Sequence, residues 1–92
     1  MLLTVNEYVG NTLRTTWVNS GATVSQPYSA LIDKEGILVS SVAQTSSGNG
    51  FYYADITLPN TPGNYLNKQG GVIDSNTYTR WAIVRLIAPE VD

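Results

Sequence analysis

The sequence contains no cysteine and no histidine, and these two absences remove most of the chemistry that small proteins perform. Without cysteine there can be no disulfide framework, iron–sulfur cluster or thiolate zinc site. Without histidine, the commonest metal ligand and general base is missing, so the abundant serine and threonine hydroxyls lack the partner that would activate them. We therefore expect no catalytic residue, no metal site and no cofactor, and the protein is predicted not to be an enzyme.

Charge is also scarce, because only 13% of the 92 residues are charged and the net charge is −2. The five lysines and arginines are spread from Arg14 to Arg85 and form no cluster, so nucleic acid is not an expected partner. No segment approaches the roughly 18 apolar residues that a membrane span requires, so we expect no membrane contact. The first seven residues contain no basic side chain, and no signal peptide is expected.

The length and the 42% apolar content predict one folded domain over residues 1–92. Clusters of turn-forming residues recur along the chain and enclose short runs rich in valine, isoleucine, threonine and tyrosine, whereas no segment shows a helical period. This pattern predicts an all-β fold, an antiparallel β-sandwich of about seven strands. We expect a long loop near residues 66–76. The other turn clusters lie at residues 9–11, 19–21, 33–36, 46–50 and 59–63.

Two segments show the alternation of a strand that is buried on one face. In the first segment one face of the strand carries Tyr52, Ala54 and Ile56. In the second segment one face carries Leu13, Thr15 and Trp17. Between residues 37 and 45 the alternation slips at Ser40 and Ser41, which predicts a bulge or an edge strand there.

Several turn signals have a local explanation. Asn49-Gly50 favours a type I′ turn, which would join the strand ending near Thr45 to the strand starting at Phe51. Asp33 and Glu35 could bind a cation or share acid and base roles, but Asp33 followed by Gly36 favours an ordinary type I turn. Gly70-Gly71 is interpreted as turn chemistry or flexibility within the long loop.

The last predicted strand, residues 78–87, is apolar on both faces. Ala82, Val84 and Leu86 share one parity, while Trp81 and Ile83 share the other. Antiparallel sheets commonly show one face to water, so we expect the second face to be covered. Two alternatives remain open: the long loop or the N-terminal segment folds over this face, or another subunit does.

Aromatic side chains are the other candidates for a binding surface. Phe51-Tyr52-Tyr53 must place at least one ring outward, and Tyr65 and Tyr78 flank the expected long loop. Outward rings could stack on sugars, anchor a protein interface, or be core and ordinary surface residues. The candidate interface residues are Tyr53, Tyr65, Tyr78, Trp81 and Ile83.

The block from residue 27 to residue 66 combines three short motifs in a fixed order. They are Asp33 with Gly36; then Gly50, Tyr52, Ala54, Leu58 and Pro59; and finally Pro62, Gly63 and Tyr65. This block resembles immunoglobulin-like or fibronectin-type-III-like sandwiches, and more narrowly the small Ig-like proteins of tailed-phage and prophage structural modules. One aromatic residue is inserted between Gly50 and Ala54, which departs from the pattern, and residues 78–87 match more loosely. The resemblance implies a tyrosine corner at Tyr65 or at Tyr78.

The resemblance also implies a function that is physical and not chemical. It suggests a virion structural or accessory protein, either capsid decoration or a head–tail or tail component, that docks on a repeating lattice. The expected partners are the protein itself, a phage coat, connector or tail protein, or both, and the expected location is the virion, assembled in the host cytoplasm. The alternatives are a glycan or cell-surface binding module that uses Tyr53, Tyr65 or Tyr78, and an inhibitor-type interaction protein.

Overall fold

The structure is a computed structural model that describes residues 2–18 and 23–89. These residues form strands and turns, and no helix among them is long and apolar enough to cross a membrane. The all-β prediction is confirmed, with eight strands in place of about seven. They are β1 (Leu3–Tyr8), β2 (Thr12–Val18), β3 (Ser25–Ile32), β4 (Leu38–Ala43), β5 (Thr45–Gly48), β6 (Phe51–Thr57), β7 (Gly63–Ile73) and β8 (Asn76–Ile87).

The strands form two sheets that pack face to face. One sheet has five strands in the order β1-β8-β7-β3-β4, and the other has three in the order β2-β6-β5. Neighbouring strands are antiparallel, except that β1 lies parallel to β8, with Leu3 opposite Ala82. A parallel pair needs a long connection, and here almost the whole chain lies between the two strands. The sequence predicts an antiparallel sandwich, and the parallel pair of β1 and β8 departs from that prediction.

Two apolar clusters fill the space between the sheets. The alternation predicted for residues 52–56 is confirmed, because Tyr52, Ala54 and Ile56 are buried and the residues between them are more exposed. Each large side chain buried in this way contributes about 1.5–3 kcal/mol relative to its exposed state. The larger cluster contains Leu31, Ile56, Leu58, Tyr65, Val84 and Leu86, and the smaller one contains Trp17, Val24 and Tyr52.

The prediction of a long loop near residues 66–76 is wrong. Residues 66–73 belong to β7, which pairs with β3 on one side and β8 on the other. Only Asp74 and Ser75 form the turn, with φ angles of 50° and 66°, which are the left-handed values of a type I′ hairpin turn. The sequence contains no Asn-Gly pair here, and the polar residues of β7 conceal the strand, because Asn67 is buried and Lys68 and Gln69 are half-buried.

Gly70 and Gly71 are not turn residues but contact points for aromatic rings. A Cβ atom at Gly71 would overlap Val24 Cγ1 and lie 2.9 Å from Trp17 Cζ3 on the core side of β7. A Cβ atom at Gly70 would lie 2.7 Å from Tyr28 Cε1 on the outer side. Both values are far below ordinary van der Waals separation, so the absence of a side chain lets the two rings lie directly against the strand.

The predicted turn at Asp33 is confirmed, and its carboxylate is used within the turn. The Gly36 N–H donates to the Asp33 carbonyl oxygen at 3.0 Å. Asp33 Oδ1 also accepts hydrogen bonds from the N–H groups of Glu35 at 3.0 Å and Ile37 at 2.9 Å. Asp33 is therefore committed to the backbone of its own turn.

The chain changes sheets between β4 and β5. The alternation slips where predicted, because β4 is an edge strand and its register with β3 skips Val39, which forms a bulge. At Gln44 the chain crosses to the three-stranded sheet, and the Gln44 side-chain amide donates to Gln69 Oε1 at 2.8 Å. Asn49 and Gly50 have φ angles of 56° and 81°, so the predicted hairpin exists, although it joins the short strand β5 to β6.

A buried group of polar side chains joins the two sheets; we call it the inter-sheet cluster, and it consists of Thr15, Ser29 and Asn67. Thr15 Oγ1 on β2 donates to Ser29 Oγ on β3 at 2.8 Å. Asn67 Nδ2 on β7 donates to the same Ser29 oxygen at 2.9 Å and to the Ala30 carbonyl oxygen at 2.9 Å. Such buried bonds contribute about 1 kcal/mol each, and an unmatched buried partner costs more. The inter-sheet cluster therefore holds the sheets in one relative position.

Tyr65 begins the buried part of β7, and its hydroxyl donates to the Thr61 carbonyl oxygen at 2.9 Å. This is the backbone contact expected of the tyrosine corner at Tyr65, while the competing candidate Tyr78 is 48% exposed. We expect Tyr65→Phe to lower the free energy of unfolding by about 1 kcal/mol, since it removes this hydrogen bond and leaves the ring in place. Urea denaturation measures the change. Tyr78→Phe is the matched control and should leave the free energy of unfolding unaltered; equal effects of the two substitutions would contradict the assignment.

Candidate docking surface

The outer face of the five-stranded sheet carries a group of apolar side chains around Trp81; we call it the Trp81 face. Trp81 pairs with Lys68, Ile83 pairs with Leu66, and Leu66 in turn lies beside Ile32. Paired residues of neighbouring strands point to the same side of a sheet, so these five side chains share one surface. The Trp81 face comprises Ile32, Leu66, Lys68, Trp81 and Ile83.

This face is uncovered over the part of the chain that the structure describes. Neither the long loop nor the N-terminal segment, the two intramolecular covers left open by the sequence, lies over this face among the described residues, because residues 66–73 form β7 in the same sheet and β1 pairs alongside β8. Ala82 and Val84 point into the core, and the residues that alternate with them along β8, Trp81 and Ile83, point outward. Trp81 is 40% exposed as a result. Of the two alternatives left open by the sequence, cover by another subunit stays a prediction.

The Trp81 face combines apolar surface with positive charge. Lys68 Nζ lies 5.3 Å from the centroid of the Trp81 ring, which is a cation–π contact, and Arg85 has the same outward parity on β8. The carboxylates of the described residues lie elsewhere: in turns, on the three-stranded sheet, or on the core-facing parity of β1. They are Glu7, Asp33, Glu35, Asp55 and Asp74.

A depression borders the Trp81 face at the end where β3 turns into β4. Its volume is about 310 Å³, and its lining includes Leu66 and Ile83 together with Asp33, Lys34 and Gly36 of the turn. A partner could place a side chain in this concave region and could bury the Trp81 ring in a pocket of its own. Both features are typical of the centre of a protein interface.

Tyr53 lies on the opposite side of the molecule, on the outer face of the three-stranded sheet. The guanidinium of Arg14 is 4.6 Å from the centroid of its ring, and the same group binds both carboxylate oxygens of Asp55 at 2.8 and 2.9 Å. The hydrogen bonds to Arg14 lower the pKa of Asp55, and the same bonds raise the pKa of Arg14. One face of the Tyr53 ring is therefore occupied by an ion pair.

The five predicted interface residues do not form one surface. Trp81 and Ile83 lie together, whereas Tyr53 is on the other sheet and Tyr78 is near the end of the β7–β8 hairpin. Tyr65 is only 8% exposed, so it belongs to the core and cannot serve as a binding platform. Tyr53, Tyr65 and Tyr78 therefore do not line one common groove. The sequence missed Leu66 and Lys68 because their segment was expected to be a loop.

Within residues 2–18 and 23–89 there is no group of three acidic, histidine or cysteine side chains that could hold a metal ion. Comparison with protein families, curated proteins and solved structures finds no match to this chain in any of the three. A functional interpretation therefore depends on the geometry of the chain itself.

Proposed function

We propose that this protein is a non-enzymatic docking protein that binds another protein through the Trp81 face. The observation that carries the proposal is the uncovered apolar surface around Trp81 on a strand with two apolar faces. Tryptophan is among the side chains that contribute most to protein interfaces, because its large ring loses water when a partner covers it.

We propose further that the sandwich is Ig-like. In this reading, β2, β6 and β5 correspond to the B, E and D strands, and β3, β7 and β8 to the C, F and G strands of that fold. The bond from Tyr65 to the Thr61 carbonyl at the start of β7 supports the correspondence, since a tyrosine corner occupies this place in the fold. In addition, β4 extends the sheet next to β3, as in the variable type.

The context we propose is a tailed-phage virion, in which the protein is a structural or accessory component of the capsid surface, the head–tail junction or the tail. The resemblance of residues 27–66 to small Ig-like phage proteins supports this assignment. On a repeating lattice, copies that also contact one another bind together, so a modest apolar face on each copy contributes to stable attachment. A surface with few charges and many hydroxyl and amide groups suits a hydrogen-bonded rim around that contact.

The observations favour a protein partner over a glycan. A sugar ring would need an open aromatic face, and Arg14 lies over the ring of Tyr53 while Tyr65 is buried. Trp81 is an exposed aromatic ring on the same sheet face as the apolar side chains of Leu66 and Ile83.

Replacing Trp81 with alanine is expected to abolish docking and to leave the fold intact. Because Trp81 lies on the surface, the free energy of unfolding should fall by roughly 1–2 kcal/mol, less than the ~3–5 kcal/mol of a core tryptophan. Circular dichroism and urea denaturation check the fold. Particles assembled from the source genome, with each variant in place of the natural gene, then show by mass spectrometry whether the protein is incorporated.

Tyr53→Ala is the matched control, because it removes an outward aromatic ring from the other sheet. We expect particles to contain the wild-type and Tyr53→Ala chains and to lack the Trp81→Ala chain. Equal incorporation of all three would exclude the Trp81 face as the contact, and absence of the wild-type chain from particles would exclude the virion role.

A further inference from the structure

The five-stranded sheet ends in two edges that carry exposed apolar side chains. At the β1 edge, Leu2 and Leu3 are 46% and 70% exposed. At the β4 edge, Ile37, Leu38 and Val39 are 62%, 59% and 41% exposed. Among the described residues, neither β1 nor β4 has a second neighbouring strand, so each presents a row of backbone donors and acceptors.

The β4 edge lacks the usual protection against pairing with another chain. Natural edge strands commonly carry lysine or proline, yet no charged residue and no proline occurs from Ile37 to Ala54. The bulge at Val39 disturbs one end of β4, but Ser40 to Ala43 keep an unbroken register with β3. Glu7 is the single charged residue of β1. These two edges can therefore approach each other without like-charge repulsion.

Strand directions make the two edges complementary to each other. β1 is parallel to β8, and the steps from β8 to β7, β3 and β4 are each antiparallel, so β1 and β4 run in opposite directions. If a second copy lies beside the first in the same orientation, β4 of the second copy is antiparallel to β1 of the first. Antiparallel pairing is slightly more stable than parallel pairing. Each strand has six residues, so their lengths match.

We propose that copies of this chain join head to tail, with β1 of one copy pairing with β4 of the next. Such a contact is heterologous and produces a ring or an open chain, not a closed pair. Self-association through the Trp81 face is less favourable, because it would bring together two surfaces that each carry Lys68 and Arg85. Six residues per strand bury less surface than a standard interface, so the association is weak and depends on concentration. The inference does not depend on the proposed virion role.

Two double variants test the pairing, and both change Thr4 on β1 and Ser41 on β4, which are exposed on the outer side of the edges. The first, Thr4→Lys with Ser41→Lys, places like charges across a β1–β4 contact. The second, Thr4→Lys with Ser41→Glu, places opposite charges there and changes the same positions. Light scattering after gel filtration over a range of concentrations gives the mass of each, and circular dichroism verifies that each is folded.

We expect the mass of the wild-type protein to rise with concentration past that of a dimer. The Lys/Lys variant should associate at least tenfold more weakly, and the Lys/Glu variant should associate at least as well as the wild type, with an affinity that falls in high salt. Pairing of β4 with β4, or of β1 with β1, would oppose like charges in both variants, so a monomeric Lys/Glu variant overturns the proposal. A wild-type protein that stays monomeric, or whose mass stops at a dimer, overturns it as well.

Discussion

Gly71→Ala is expected to lower the free energy of unfolding by about 3 kcal/mol or more. The added methyl group would overlap Val24 Cγ1 and lie 2.9 Å from Trp17 Cζ3 in the smaller core cluster. Overfilling a packed core typically costs about 1–3 kcal/mol and occasionally more, and this site is constrained on two sides. Urea denaturation followed by tryptophan fluorescence measures the change, and it should show a lower midpoint with an unaltered slope.

Gly70→Ala is the control for this prediction, since it adds the same methyl group to the neighbouring residue of the same strand. There the obstacle is the far end of the half-buried Tyr28 side chain, which can rotate away from the strand. We expect a loss of about 1 kcal/mol. An effect at Gly71 no larger than that at Gly70 would contradict the close packing of Trp17 and Val24 against β7.

Asn67→Ala is expected to lower the free energy of unfolding by about 2–4 kcal/mol. The substitution removes the two hydrogen bonds from Asn67 Nδ2 to Ser29 Oγ and to the Ala30 carbonyl oxygen, and it leaves a small cavity between the sheets. The Ala30 carbonyl loses its side-chain donor, while Ser29 keeps its bond to Thr15. Chemical denaturation gives the magnitude, and near-ultraviolet circular dichroism reports whether the aromatic packing survives.

The exposed Asn64, three residues earlier in β7, provides the matched control. Asn64→Ala should change the free energy of unfolding by less than about 0.5 kcal/mol, since surface substitutions rarely do more. If Asn67→Ala were as mild as Asn64→Ala, the two hydrogen bonds from Asn67 to β3 would make no measurable contribution to the free energy of unfolding.

Much of the fold is predictable from local patterns, because burial and turn geometry impose residue types. Ile56 follows a period of two, and Gly36 and Gly50 stand where the chain needs positive φ. The strand at residues 66–73 escapes such reasoning for a physical reason. Its core-facing residue Asn67 is polar and becomes favourable only through partners that are distant in the sequence, Ser29 and Ala30.

The docking surface is predictable only in part. The last strand is apolar on both faces, so the face that does not point into the core is expected to need a partner. Trp81 and Ile83 lie on that face. The sequence does not indicate which outward tyrosines are free, because that depends on long-range contacts. Tyr65 is enclosed by the larger core cluster, and Tyr53 lies under Arg14, a residue from another strand.

The two proposed contacts occupy different surfaces and do not compete. Copies joined through β1 and β4 would extend one sheet, so every Trp81 face would lie on the outer side of the same layer. The modest apolar area around each Trp81 would then act together with that of its neighbours against a repeating partner.

The parallel pairing of β1 with β8 has a kinetic consequence. Leu3 lies opposite Ala82, so this pairing closes a loop that contains β2 to β7 and cannot form until β8 has been synthesised. Contacts of such long range form late, and β1, held on one side only, opens most readily afterwards. Its amide hydrogens should therefore exchange with solvent faster than those of β7. Folding therefore finishes, and local unfolding begins, at the pairing of β1 with β8.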